Sequence, residues 1–329
     1  MRVIEKVERT FWEDVAGNCT DATFFHTPYW SELMAKTFSY IDVTKGFIFD
    51  DGTKAVFPFM RRKRRRLKGL LHLYDYVSGP PYVYGGPVSD GELNKQRLDE
   101  IMEYMNSTFE MYDTVLIRGN PFGPNIKPTG FQEVKDFSHV VELFKYRDER
   151  DLLKSYEWKS SGRRIQSAKE SNVLIIKEGT TLNEYETLYQ IYKGSFKHWN
   201  EVITDYPQIL FQNFFNLKNK YIKLWTVYYK NNMIGGMIVL LWNDYCTGFI
   251  SYHDRKCAKL HGSRYLLHNC FLDCIEKGFG HYDFMQSGEI KGVEDFKRSM
   301  LGKEYPHIAW LKENSFLKKM RSTKKALTG

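Results

Sequence analysis

Short apolar stretches with strand character alternate along the chain with longer segments whose apolar residues recur at helical spacing. In the first half, Asp42 to Phe49 and Thr53 to Met60 read as a hairpin about an Asp50-Asp51-Gly52 turn. A run of cations follows and reads as an inter-strand loop. After it come a Tyr-rich strand from Leu70 to Tyr76 and the stretches Gly79-Pro80-Pro81 and Gly85-Gly86-Pro87. Leu98, Ile101, Met102, Met105 and Phe109 share one face of a helix from about Glu92 to Phe109, and Asp113 to Arg118 closes the set as a strand. The second half repeats this order. Tyr221 to Tyr229 and Met233 to Trp242 form a hairpin about Lys230-Asn231-Asn232, and Tyr245 to Tyr252 is a third strand. Beyond a polar loop, Gly262-Ser263 opens a helix that runs to Lys277, Gly278 and Gly280 end it, and His281 to Gln286 is the next strand. Helices also precede each set: one capped by Thr27 with Pro28 at its first position, then Leu182 to Phe196 and Gln208 to Leu217. The repetition predicts an internal duplication, with domains over 1–150 and 151–329. A basic segment from Tyr156 to Glu170, helical beyond Gly162, opens the second domain.

Composition narrows the class. The 329 residues are 42% hydrophobic and 27% charged, which fits two folded domains and not a disordered chain. Aromatic residues at 16% imply a large core and a groove lined by rings. The longest apolar run, Met233 to Trp242, is too short to span a membrane, and Met1-Arg2-Val3-Ile4-Glu5-Lys6 begins no apolar leader. The expected location is therefore cytoplasmic. The 5 cysteines fit reduced thiols. Cys257, His261, His268, Cys270 and Cys274 lack a C-x-x-C element, and helical packing accounts for Cys274, so no metal site is expected.

Charge changes the picture more. The net +8 is concentrated in Arg61 to Arg66 with Lys68 and in the tail from Lys312 onward; the rest of the chain is net negative. Six consecutive cations repel one another, and an anionic partner such as a nucleic acid phosphate, a lipid surface or a diphosphate would relieve that repulsion. The tail, with Phe316, Leu317 and Met320, reads either as a frayed terminus, the reading favoured here, or as a basic amphipathic helix suited to peripheral contact with the inner membrane surface.

Several short motifs carry a resemblance. Arg163-Arg164-Ile165 followed by Ala168-Lys169, Leu266-Leu267 to Gly278 followed by Tyr282-Asp283-Phe284, Phe296-Lys297 followed by Gly302, and Tyr84-Gly85-Gly86-Pro87-Val88 resemble motifs of the Fem-type aminoacyltransferases. The same motifs resemble the FemAB-like, or BioF2-like, acyltransferases of the GNAT superfamily. The resemblance implies an α/β fold of two tandem GNAT-like units with mixed, mostly antiparallel, splayed sheets. The first unit would offer an acceptor groove and the second the transfer site. Two positions depart from the family: Met34 stands where Fem ligases carry Lys, and Arg264 stands where single-domain enzymes carry a small residue.

Acyl transfer to an amine needs a neutral nucleophile, donors for the developing oxyanion and help for the leaving group. Strand splay would expose backbone N–H groups for the oxyanion. Lys297 is the candidate for electrostatic support, and Asp283 or Glu289 for the base. Arg163, Arg164, Asp75, Tyr76 and Tyr252 are candidate substrate contacts. Lys259, Gly262, Ser263 and Arg264 are the candidate donor loop. The function expected is transfer of an aminoacyl or acyl group onto an amine of a cell-envelope (peptidoglycan or polysaccharide) precursor. No cofactor is expected to stay bound; the donor is aminoacyl-tRNA or acyl-CoA as co-substrate. Two alternatives stay open: an acetyl-CoA-dependent N-acetyltransferase on a small amine or amino sugar, and a non-catalytic RNA- or membrane-surface-binding module. The expected partners are an anionic substrate and aminoacyl-tRNA, not DNA, and the oligomeric state is open.

Overall fold

The computed structural model describes residues 1–66, 71–81, 83–196, 205–217, 220–288 and 290–314. The chain divides into two compact units, Met1–Asp136 with Pro306–Gly329, and Phe137–Tyr305. The division falls earlier than residue 150, and the described residues from Pro306 onward belong with the first unit. The tail beyond residue 314, Lys68 and Glu289 lie outside the described residues.

The first unit runs β1 (Arg2–Ile4), α1 (Arg9–Asn18), α2 (Pro28–Phe38), β2 (Ile41–Asp42), β3 (Lys45–Ile48), β4 (Lys54–Phe57), β5 (Met60–Arg66), β6 (Leu71–Val77), β7 (Val88–Ser89), α3 (Lys95–Thr108) and β8 (Tyr112–Arg118). Pro28 opens α2 after the cap residue Thr27, although the Thr27 hydroxyl donates back to the Phe24 carbonyl at 2.7 Å instead of closing the helix end. β1, β3, β4 and β7 form a small antiparallel sheet. β5 pairs with β2 and β6, and β6 runs parallel to β8. The expected hairpin therefore exists as β3–β4, but it sits in a sheet of its own. The shared core of the two halves is strand, helix, parallel strand. Leu98, Ile101, Met102 and Met105 of α3 bury against Phe57, Phe59, Tyr76 and Val115.

The cationic run is a strand, not the expected loop. Met60–Arg66 pairs with β6 from Met60↔Val77 to Arg66↔Leu71. Arg64 forms an ion pair with Asp75 and lies 4.0 Å from Asp113. Arg61 sits over the Tyr74 ring at 4.6 Å and Arg62 over the Tyr40 ring at 5.2 Å. Opposite charge and ring faces thus offset the like-charge repulsion that suggested a loop.

The second unit continues with β9 (Gln132–Glu142), whose residues from Phe137 belong to it, then α4 (Glu149–Ser155), α5 (Arg163–Ser171), β10 (Leu174–Gly179), α6 (Leu182–Phe196), α7 (Gln208–Leu217), β11 (Ile222–Tyr229), β12 (Asn232–Trp242), β13 (Tyr245–His253), α8 (Gly262–Glu276), β14 (His281–Asp283) and α9 (Lys291–Ser299). A last strand, β15 (Lys303–Glu313), follows, and from Pro306 it belongs to the first unit. β10 to β13 pair antiparallel in order, β13 pairs parallel with β14, and β14 pairs antiparallel with β9. The continuous apolar run of β12 is buried from Ile234 to Trp242. That is the pattern of a strand covered on both faces. Leu266, Leu267, Cys270, Phe271 and Cys274 of α8 fill one of those faces. Tyr156 and Glu149 reach across to α8, where the buried His268 ring lies 3.2 Å from each.

Candidate functional site

The site begins where two strands part. β13 and β14 pair only over Tyr245↔His281, Cys246↔Tyr282 and Thr247↔Asp283. β13 then runs on to His253, while the chain after Asp283 stays with β9: the Phe284 N–H donates to the His139 carbonyl at 2.8 Å, and the His139 N–H donates to Met285 at 3.3 Å. A bulge at Phe249, between the pairs Val239↔Gly248 and Ile238↔Ile250, bends β13 at the same level. The gap is a cleft of about 560 Å³. Gly248 to His253 line it on one side, Ser263 and Leu267 of α8 and Lys297 of α9 on others, and Phe284, Gln286, Ser287 and Gly288 close it. Its floor needs a glycine. Tyr282 is 1% exposed and donates to Met237 Sδ at 3.0 Å, and a Cβ on Gly248 would lie 2.2 Å from its oxygen.

Lys297 lines this cleft and is 6% exposed. Its Nζ donates to the carbonyls of Met285 at 2.9 Å and Gln286 at 2.8 Å. The lysine therefore rivets the turn after β14. Asp283 is placed differently from expectation. Tyr282 and Phe284 face the cleft, so strand alternation turns Asp283 the other way, where its carboxylate accepts the Met285 N–H at 2.7 Å. It caps a turn in which Met285 takes φ 60°. Tyr252 lines the cleft, its ring packs on Tyr192 at 4.9 Å, and burial pushes its phenol up to about 12.

The donor-loop candidates split. Gly262 and Ser263 begin α8, so their backbone N–H groups have no partner within the helix, and Ser263 lines the cleft. Arg264 turns inward: its Nε donates to Ser161 at 3.2 Å and its guanidinium sits 4.9 Å over the Phe296 ring. Lys259 is exposed. Arg163 and Arg164 open α5 after a wide π-turn over Trp158–Gly162. Arg164, Arg264 and Arg163 all act on the His261 imidazole and, after burial, lower its pKa, so these cations gather beside the start of α8. Asp75 and Tyr76 are in the first unit. Asp75 is committed to Arg64 and to the Thr114 hydroxyl at 2.7 Å, and Tyr76 is 3% exposed with its hydroxyl on the Glu110 carbonyl. Tyr76 also lines a pocket of about 440 Å³ in that unit, beside Arg61 and Glu5.

Three contributors escaped the sequence reading. His253 ends β13 in the cleft wall; burial pushes its imidazole down to about 4, and its ring packs so close to β12 that a Cβ on Gly235 would lie 2.4 Å away. Ser287 lines the cleft, and His139 stands behind it at 3.3 Å. None has a periodic or motif signal. Only the return of distant strands brings them together. Among the described residues, no group of His, Cys, Asp and Glu could hold a metal ion.

Comparison with known proteins bears on the same segment. Residues 159–298 match the family model of the acetyltransferase (GNAT) domain. Among solved structures, the chain is similar to FemX at 10% identity and TM-score 0.71, over 94% of this chain and 97% of that one. It is also similar to a conserved protein of unknown function from Bacteroides thetaiotaomicron, at 13% identity and TM-score 0.58, over 94% and 100%. A third likeness is to the C-terminal domain (DUF2156) assigned to a lysylphosphatidylglycerol synthetase of Agrobacterium fabrum, at 11% identity and TM-score 0.54, over 95% of each chain. At these identities the likeness is one of fold. It extends over both units, as expected for tandem GNAT-like units with mixed, mostly antiparallel sheets. No curated protein matches the sequence. Among the described residues, no helix is long and apolar enough to cross a membrane.

Proposed function

We propose that the chain is a Fem-like N-acyltransferase that moves an aminoacyl group onto an amine of a cell-envelope precursor. The observation that carries this is the cleft itself. β13 runs on beyond its pairing with β14 beside a helix N-terminus and a buried lysine, all inside the segment that matches the GNAT domain. A thioester or ester donor laid along β13 would direct its carbonyl oxygen at the strand's backbone N–H groups, which are fixed and need no reorganisation as charge develops. Lys297, held by two carbonyls, adds positive charge at the same wall. The amine nitrogen attacks, and the bond to the donor sulfur or oxygen breaks. The FemX fold over both units and the fold of the lysylphosphatidylglycerol synthetase domain support an aminoacyl donor and an envelope acceptor.

A second reading is favoured by the family description of residues 159–298: an acetyl-CoA-dependent N-acetyltransferase on a small amine or amino sugar. Arg264 argues against its usual pose, because the guanidinium is tied to Ser161 and Phe296. The test is mass spectrometry of products after incubation with alanyl-tRNA or acetyl-CoA and a lysine-bearing stem peptide as acceptor. Alanylated peptide is the expected product. Acetylated peptide alone would establish the second reading, and salt-sensitive tRNA binding without product would make the chain a non-catalytic binding module.

A further inference from the structure

Ser287 and His139 meet although 148 positions separate them in the chain. Ser287 lies in the turn after β14, lines the cleft and is 7% exposed. Its Oγ is 3.3 Å from Nδ1 of His139 on β9. His139 is fully buried, and its Nε2 has no hydrogen-bond partner among the described residues. Buried polar atoms in folded proteins nearly always find a partner, so a half-satisfied imidazole behind a cleft wall points to a use beyond packing. Both members are held. Lys297 and Asp283 fix the turn through Met285 and Gln286, and backbone bonds to Phe284 and Met285 fix His139.

We propose that Ser287 takes the proton of the attacking amine while His139, acting through Ser287, takes the serine's own proton at Nδ1. The proposal rests on the acyl-transfer reading of the cleft. As the nitrogen–carbon bond forms, the carbon–sulfur or carbon–oxygen bond of the donor breaks and its electron pair leaves with that atom. The amine proton passes to Ser287 Oγ and the serine hydrogen to His139. The imidazolium then returns a proton through Ser287 to the departing sulfur or oxygen, so the enzyme ends as it began. Ser287 is the catalytic group here and His139 a positioning residue. Burial lowers the His139 pKa, and Lys297 and Arg298 of α9 lower it further, while Glu304 of β15 and Glu294 of α9 oppose them. These influences together favour the neutral ring, which is the form able to accept.

The test is long-range proton–nitrogen NMR on the full chain labelled with ¹⁵N-histidine, with His139 assigned by its loss in His139→Gln. The expected tautomer carries hydrogen on Nε2 and leaves Nδ1 bare, and Ser287→Ala is expected to shift the Nδ1 resonance. A hydrogen on Nδ1 overturns the relay, because that nitrogen could not then accept a proton. With alanyl-tRNA or acetyl-CoA as donor, Ser287→Ala is expected to lower kcat about 100-fold with KM within a few-fold, and Ser287→Thr to recover part of it. An unchanged kcat overturns the relay as well. A wild-type chain that transfers from neither donor overturns the acyl-transfer reading instead, while the wrong tautomer in an active enzyme overturns only the relay.

Discussion

At the residue scale, the cleft depends on one missing side chain and one rivet. A Cβ on Gly248 would lie 2.2 Å from the Tyr282 oxygen, which has nowhere to move because it is buried on Met237. Overpacking of this kind costs about 1–3 kcal/mol. Gly248→Ala is therefore expected to lower the urea midpoint by that amount, and adding Tyr282→Phe should recover most of it by removing the clashing oxygen. No recovery would mean that the strain lies elsewhere. Lys297 was expected from sequence to act on charge alone. Its two carbonyl partners give it a second task, since removing the ammonium leaves the Met285 and Gln286 carbonyls short of a charged donor. Lys297→Met is expected to reduce turnover by about 10²–10³ and also to destabilise the turn, seen as faster amide exchange over 284–288. Full activity in Lys297→Met would remove the lysine from the mechanism.

At the element scale, the second unit was the more legible. Its strands and helices from Leu182 onward follow the apolar pattern closely, because each buries a whole face: β12 is buried from Ile234 to Trp242 and α8 along Leu266 to Cys274. The misread elements are those whose form is decided by partners far away in sequence. The run Arg61–Arg66 has the charge pattern of a loop, but Asp75, Tyr74 and Tyr40 neutralise or cover it, and so it pairs as β5. Asp75→Ala is expected to cost up to about 1 kcal/mol, since the exposed Arg64 then loses its nearer carboxylate. A circular-dichroism melt unchanged from wild type would show that β5 does not need the pair. The strand expected to reach Gln286 ends at Asp283 because that carboxylate captures the Met285 N–H and turns the chain. This short end opens the cleft, and nothing in the local pattern announces it. Likewise His139 and Ser287 carry no motif, so their meeting was readable only in three dimensions.

At the scale of the whole molecule, both units share a pH liability. Burial holds His26 and His307 of the first unit and His253 of the second down to about 4, against about 6.5 in an unfolded chain. Above that unfolded value both states are neutral at these positions and stability is full. As the pH falls from about 6.5 towards 4, the unfolded chain binds protons that the folded chain refuses. Stability should then drop by up to about 1.4 kcal/mol per pH unit for each histidine. Urea midpoints across this range check the sign, and His26→Gln should flatten the slope. The central claim is that a donor lies along β13 in the cleft of the second unit, and hydrogen–deuterium exchange with and without alanyl-tRNA or acetyl-CoA tests it most directly. The expected result is donor-dependent protection of the amides of residues 248–253 and 262–264. Protection confined to the basic strand Met60–Arg66, or none with either donor, would contradict it.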